Sequence, residues 1–499
     1  MEKKICVILL SVILLVMGCK KEKVDPFEKD LNLEKILNSP YSKLTPEEQK
    51  VKLEHECIDL LNELNAATSL QAIDVLKNFI DLLDINSPDV YLETEGQTST
   101  QTIFQVTNTY GVYAWSASKR AWTKTASDSE LKFEFPSKGK SGSNNATLSM
   151  VAGKTGITVT NVGYDEYWDY DCWCWIDESY EEIVQIPTSV TSKLSVDNKE
   201  IAKIETSAQY KKNTYEYEDF KIDGYPEKSS FKITTAEKYS YEYQFDGNGK
   251  ETKLKMLLTH DKKTLIEGVF KTDIQIKDVL DNLEDIEDFE DTDFYDIFGK
   301  VSTTAYIKMM DNLVLAYQID DMSRYLDEII RIESEWYDNE PDWRSADYYK
   351  NYEKGQKKYS DDFAAVMNKY LKISLVSLKD GTKIAEFTYK SQKTDEYYDQ
   401  IKFLSWDDYL LKEWNDYYSQ YGWWDSYQDF YNERRPQYSG EGRWDWDWNY
   451  PYVKLYDEYS PVAYLRFNDN TLVETEAYFS TGFSELESKW EDFVNAFNR

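Results

Sequence analysis

The chain of 499 residues carries 58 Lys and Arg against 92 Asp and Glu, a formal net charge of −34, and 15% of it is aromatic. So anionic a chain is repelled by nucleic acid and by anionic lipid, which leaves divalent cations, basic proteins and neutral ligands such as glycans as the favoured partners. Two histidines, His55 and His260, give a hydrolytic triad or a His-rich zinc site almost no material.

Lys3 and Lys4 precede an apolar run from Ile5 to Val16, which ends at Val16-Met17-Gly18-Cys19. A membrane-crossing helix needs about 20 apolar residues, so this shorter run with basic residues before it reads as a signal peptide over 1–18. The V-M-G-C ending resembles a bacterial lipobox. That resemblance covers only the first twenty residues or so, and it implies cleavage after Gly18 and a diacylglycerol on the Cys19 sulfur. Each buried CH₂ of such chains contributes about 0.8 kcal/mol, which is enough in sum to hold a protein at a membrane surface. In lipoproteins of Gram-negative bacteria, a residue such as Lys20 after the cysteine, rather than an acidic one, permits outer-membrane sorting; the resemblance leaves the periplasmic or outer face open. Removal of residues 1–18 takes away two Lys and one Glu, leaving 56 basic and 91 acidic residues and a net charge of −35. Residues 19–40 are rich in charge and poor in large apolar side chains, and they read as a tether.

A helical hairpin is expected over 41–95. Thr45-Pro46-Glu47-Glu48 carries a cap, a proline at the first helical position and a capping-box glutamate. Leu53, Cys57, Leu60, Leu61 and Leu64 then share one face, and Ile73, Leu76, Ile80 and Leu83 another. Ser87-Pro88 ends the second helix.

From 96 to 276 the period becomes two. Tyr113-Ala-Trp115, Leu131 to Phe135 and Ile233 to Phe245 alternate, with turn residues at Pro136 to Asn145, Asp197-Asn198 and Asp246-Gly247. Short turns between successive strands predict an antiparallel meander. Segments 193–204 and 377–387 share a strand, an Asp-Asn or Asp-Gly turn and then Ile-Ala, and 465–478 echoes the first half of that pattern.

Region 277–499 mixes helices with further hairpins. Leu280, Leu283, Ile286 and Phe289, interleaved with carboxylates, predict either an amphipathic helix with a solvated acidic face or a surface for calcium or a basic partner. A strand near 303–319, helices at 322–337, 346–372 and 406–432, and a hairpin at 373–390 follow. Ser484-Glu-Leu-Glu487 opens a last helix whose stripe of Leu486, Trp490, Phe493, Val494 and Phe497 predicts packing on the sheet. The fold class expected is α+β: an antiparallel meander with an N-terminal helical hairpin and C-terminal helices packed on the sheet.

Chemistry is sparse in these residues. Cys57, Cys172 and Cys174 form no disulfide framework, and Cys172-Trp173-Cys174 is either a strained ring or two thiols on one strand face. His55, in His-Glu-Cys-Ile-Asp, lacks the second histidine of a zinc motif, and His260 reads as a turn residue. Gly139-Lys140-Ser141 lacks the earlier glycine of a phosphate loop, since Glu134 stands there. No cofactor motif is present.

The aromatic and acidic segments 164–177, 422–431 and 441–452 are the remaining candidates. On a strand, Trp444, Trp446, Trp448, Tyr450 and Tyr452 face one way and Asp445, Asp447 and Asn449 the other. Tyr450 and Tyr456 stand where a calcium loop needs glycine and glutamate. Two readings stay open: the rings are core, or Trp423, Trp424, Trp444, Trp446 and Trp448 form a glycan platform. The function expected is a lipid-anchored envelope protein, binding or structural rather than enzymatic, whose partners are the membrane through its anchor and a glycan or another envelope protein. The alternative is a surface carbohydrate-binding or carbohydrate-active protein.

Overall fold

The computed structural model describes residues 31–68, 70–86, 110–153, 155–169, 174–211, 214–218, 221–222, 226–247, 250–274, 293–446 and 450–480. Cys19, Cys172, the acidic run as far as 292, Trp448 and the helix expected from Ser484 lie outside the described residues.

Asn32 caps a short helix α1 (Leu33–Leu37) by accepting from the Lys35 N at 2.9 Å. Thr45 then closes the expected capping box: its N donates to Glu48 Oε2 at 2.8 Å, and its Oγ1 accepts from the Glu48 N at 3.3 Å. Helix α2 (Pro46–Thr68) follows, and α3 (Gln71–Ile85) begins after Leu70. With a rise of 1.5 Å per residue, the two helices measure roughly 34 and 22 Å. They meet at Leu70, where Ile73 joins Leu60, Leu64 and Ala67 in one cluster, and away from that joint they spread onto different stretches of sheet.

The strands run in chain order. They are β1 (Gly111–Ser116), β2 (Ala121–Thr125), β3 (Leu131–Phe135), β4 (Ala146–Ala152), β5 (Thr155–Asp169), β6 (Cys174–Pro187), β7 (Ser189–Val196) and β8 (Lys199–Gln209). Next come β9 (Thr214–Glu218), β10 (Lys221–Ile222), β11 (Lys228–Thr235), β12 (Tyr239–Asp246), β13 (Thr252–His260), β14 (Lys263–Thr272), helix α4 (Phe294–Phe298), β15 (Thr303–Met309) and β16 (Leu313–Ile319). Helices α5 (Met322–Asp338) and α6 (Tyr348–Tyr370) separate β16 from β17 (Leu371–Ser377) and β18 (Thr382–Asp399). The remaining elements are β19 (Ile401–Ser405), α7 (Trp406–Asp416), α8 (Tyr427–Arg434), β20 (Gly442–Trp446), β21 (Val453–Arg466), β22 (Leu472–Glu474) and α9 (Thr475–Phe479).

The fold class is α+β. Sixteen strands among the described residues form one sheet in the order β2-β1-β3-β4-β7-β8-β11-β12-β13-β14-β15-β16-β17-β18-β21-β22, antiparallel at every joint except β1 with β3. β14 pairs with β15 from Thr272↔Thr303 to Ile266↔Met309, so the ladder continues past residue 276. A second sheet has the order β10-β9-β5-β6, and β19 pairs with β20.

Alternation decides which side chains meet the helices. Tyr113 and Trp115 on β1 and Leu131, Phe133 and Phe135 on β3 are buried beneath α3. Phe79 enters that cluster with its ring 5.0 Å from Phe133 and 4.9 Å from Phe135. Seating this ring turns α3 so that Ala72, Ile73, Val75, Phe79 and Leu82 are buried, while Leu76, Ile80 and Leu83 of the expected stripe are only half-buried. All five expected positions on α2 are buried. At β16 both faces are covered: Leu313 lies with Leu53 of α2, and Val314 and Ala316 lie with Ile36 and Leu37 of α1. That is why Leu313-Val-Leu-Ala316 reads as a continuous apolar run.

Three expectations change. The expected strand at 303–319 is the hairpin β15–β16, turned by Met310 and Asp311 at φ 53° and 54°. The run 233–245 is likewise a hairpin, turned near Lys238 at φ 68°. The helix expected over 406–432 breaks into α7 and α8, because Gly422 adopts φ +64° and Ser426 caps a new helix by accepting from the Asp429 N at 3.3 Å.

Beyond Phe387 and Leu465, β18 and β21 continue as a two-stranded ribbon, and α6 lies across it. The helix serves both edges. Asn368 exchanges two 2.7 Å hydrogen bonds with the Tyr389 backbone, and Glu353 and Gln356 accept from the outward N–H groups of Asp457 and Tyr459 at 2.7 and 3.3 Å. Pro461, at the same outward-facing parity, brings no N–H to that edge.

Candidate functional site: an aromatic surface over residues 337–452

Among the residues whose side-chain exposure is described, which leaves out 159–186 and 212–225, every exposed Tyr or Trp falls between Tyr337 and Tyr452. The other Tyr and Trp rings whose exposure is described are buried or half-buried, and Phe270, at 37%, is the exposed ring outside this stretch. This unequal distribution marks the candidate surface.

β20 explains half of the Trp/Asp pattern. Gly442 lets it approach β19, since a Cβ there would stand 2.0 Å from the Leu404 carbonyl oxygen. Trp444 is half-buried: its ring lies 5.0 Å from Tyr349 and 5.5 Å from Phe403, and its Nε1 donates to the Ser345 carbonyl at 3.3 Å. Trp446 is on the same side by alternation but at the end of the cover, and it is 59% exposed. Asp445 on the other side pairs with Lys412 and lies 3.7 Å from Arg443, so its charge is matched within the protein. Tyr450 and Tyr452 are exposed.

The loop between α7 and α8 holds Trp423 and Trp424. Phe430, fully buried on α8, anchors it, with Tyr418 at 5.0 Å, Trp424 at 5.1 Å and Trp414 at 5.6 Å from its ring. Trp424 is half-buried, and its Nε1 donates to Glu433 Oε2 at 2.8 Å. The Arg434 guanidinium sits 5.7 Å from both the Tyr418 and the Trp424 ring centres. Trp423 lies outside this support at 67% exposure, stacked with exposed Tyr421 at 5.3 Å and 26°. Tyr417 is exposed beside them in the chain.

The two surface segments share a foundation. α7 touches β19, β20 and α8, and its Trp406 is buried against Tyr438 at 4.6 Å, with Nε1 donating to the Ser439 carbonyl at 2.9 Å. Burial pushes the Tyr349 and Tyr456 phenols up to about 12, so they stay uncharged at any ordinary pH. The α5–α6 connection borders an open cleft of about 710 Å³ that includes Asn339, Asp342, Ser345, Asn351 and Lys354.

Neither histidine lies in this region. His55 is exposed on α2, and His260 ends β13 facing Glu63. Cys57 is a buried thiol that desolvation pushes up to about 11, an unreactive state. Among the described residues no three His, Cys, Asp or Glu side chains converge as a metal site requires, and no helix is long and apolar enough to cross a membrane.

The structure therefore brings Trp423 and Trp424 together on one loop and places Trp444 and Trp446 on one strand face, one covered and one open. Sequence reasoning missed Tyr417, Tyr421 and Trp343, all exposed, because exposure depends on which helix lies above a ring. No protein-family model, curated protein or solved structure matches the chain.

Proposed function

We propose that the protein is a lipid-anchored component of a bacterial cell envelope, held through Cys19 and serving a binding role rather than a catalytic one. The Val16-Met17-Gly18-Cys19 ending and the charged tether after it support the anchor. The single observation that supports binding is the gathering of exposed Tyr and Trp rings into residues 337–452, a stretch without histidine or cysteine. Such a surface can hold a ligand by its rings and carboxylates.

One observation favours carbohydrate as the ligand: Trp423 and Trp446 are 67% and 59% exposed, where a ring serving only the core is covered. The test is fractionation of cells expressing the parent or Cys19→Ala, together with a glycan array read by tryptophan fluorescence. The proposal expects the parent to sediment with membranes, the variant to be released, and at least one glycan to shift the emission. A variant that stays with membranes as well as the parent contradicts the anchor, and an unresponsive array contradicts the carbohydrate reading.

A further inference from the structure

We infer that the loop between α7 and α8 is the saccharide subsite, that Tyr421 and Trp423 are its stacking platform, and that its ligand is an uncharged polysaccharide. The inference rests on the carbohydrate reading and goes further by choosing among the candidate rings and excluding anionic glycans.

Three rings exposed by 61% to 67%, Tyr417, Tyr421 and Trp423, occur within seven residues, and two of them stack. On β20 only Trp446 is open, because Trp444 is covered by Tyr349 and Phe403. The loop is also a built structure. Gly422 at φ +64° sets the turn between the two stacked rings, buried Phe430 holds Tyr418 and Trp424 beneath them, and Glu433 fixes the Trp424 indole. A platform already held in place loses little freedom when a ligand seats on it.

Composition separates a saccharide from a lipid surface as the occupant of these exposed rings. From Lys412 to Tyr452 the chain has no Ala, Val, Leu, Ile, Met or Cys, while fifteen of these 41 residues are aromatic and eight are carboxylates. A membrane-seated helix carries Lys and Arg beside its apolar face, whereas this stretch sets eight carboxylates against four cations. Rings present a negative face to the C–H groups of a sugar, and carboxylates accept from its hydroxyls.

The same stretch argues against an anionic glycan. Its four cations are all engaged: Lys412 with Asp445, Arg434 over Tyr418 and Trp424, Arg435 with Asp407 at 3.3 Å, and Arg443 over Tyr409 at 4.5 Å. With a net charge of −34 on the chain, a sulfated or uronate-rich polymer meets repulsion and no waiting cation.

The experiment is native electrophoresis of the mature protein in gels cast with amylose, a mixed-linkage β-glucan or a mannan, with pectate as the anionic control. At least one neutral polymer is expected to retard the parent, and pectate is not. Trp423→Ala is expected to weaken retardation by about tenfold, the equivalent of one lost aromatic stacking partner. Tyr421→Ala is expected to weaken it, Tyr421→Phe to preserve it, and Trp446→Ala to leave it within about threefold. Unchanged unfolding midpoints show that the variants are folded. Retardation that survives Trp423→Ala and Tyr421→Ala, or that Trp446→Ala abolishes, overturns the subsite and leaves the carbohydrate reading standing. Retardation by pectate overturns the uncharged ligand. A parent that no neutral polymer retards, or that instead floats with phosphatidylcholine vesicles through Trp423 after removal of its acyl chains, overturns subsite and reading together.

Discussion

His260 Nδ1 lies 2.7 Å from Glu63 Oε2, joining the last residue of β13 to helix α2 across the face of the sheet. The imidazole stacks on Tyr239 at 4.0 Å and 3°, and the Tyr239 hydroxyl donates to the Glu63 carbonyl at 3.1 Å. His260 is thus a clasp between helix and sheet, placed immediately before the Asp261-Lys262 turn.

This clasp has a pH signature. Burial pushes the Glu63 carboxyl upward, but His260 and then Lys263 outweigh it and hold the group below the usual glutamate value. A carboxylate depressed in the folded state stabilises above its unfolded value of about 4.3, and that stability is lost as pH falls from there. Glu63→Gln is therefore expected to cost about 1 kcal/mol at pH 7, and the cost is expected to shrink below pH 4. Urea unfolding at both pH values checks this, and a cost independent of pH contradicts it.

Glu386 makes a stronger acid-sensitive joint. Lys383, 5% exposed, pairs with Glu386, as does Arg466, and the Lys383 ammonium lies 5.1 Å from the Tyr41 ring centre. Burial pushes the Glu386 carboxyl up, but Lys383, Tyr41 and Arg466 together bring it down to about 2. The joint holds the N-terminal strap, where the Ser42 N donates to the Lys383 carbonyl at 2.7 Å and the Lys383 N to the Pro40 carbonyl at 2.8 Å. Its stabilisation is complete above about pH 4.3 and is lost as pH falls through 2. Glu386→Ala strands a buried ammonium and is expected to cost about 3 kcal/mol, with faster limited proteolysis between residues 38 and 45. A variant cleaved as slowly as the parent contradicts this.

Asn368 guards the β18 edge through both halves of its amide. Asn368→Ala is expected to remove about 1–2 kcal/mol of local stability and to speed hydrogen exchange at Tyr389, while Leu375 in the interior of the sheet keeps its protection. Equal exchange at Tyr389 in parent and variant contradicts the edge role.

Acrylamide quenching reads the aromatic surface directly. Trp343→Phe, Trp423→Phe and Trp446→Phe together are expected to lower the quenchable fraction of the emission, whereas Trp406→Phe, losing a ring only 2% exposed, is expected to leave it in place. The reverse pattern contradicts the placement of these rings.

The architecture was legible where local chemistry and long-range packing agree. Asp197, Asn198, Gly381 and Asn470 tolerate the left-handed conformations they adopt, so their hairpins announce themselves. Lys238 adopts positive φ without that chemistry, within the turn that the pairing of β11 with β12 requires, and nothing local marks that hairpin; at β15–β16 Asp311 carries the chemistry but Met310 before it does not. The candidate surface was half legible. Alternation correctly put Trp444 and Trp446 on one side, but nothing in residues 441–446 states that Tyr349 of a distant helix covers the first and leaves the second open.

Mass spectrometry of the N-terminal peptide from the mature protein bears most directly on the proposed function. Cys19 is expected to be the first residue, carrying a diacylglycerol on its sulfur, in material recovered from membranes. An unmodified Cys19 in an intact N-terminus, on protein recovered free in the medium, would contradict the anchored envelope role.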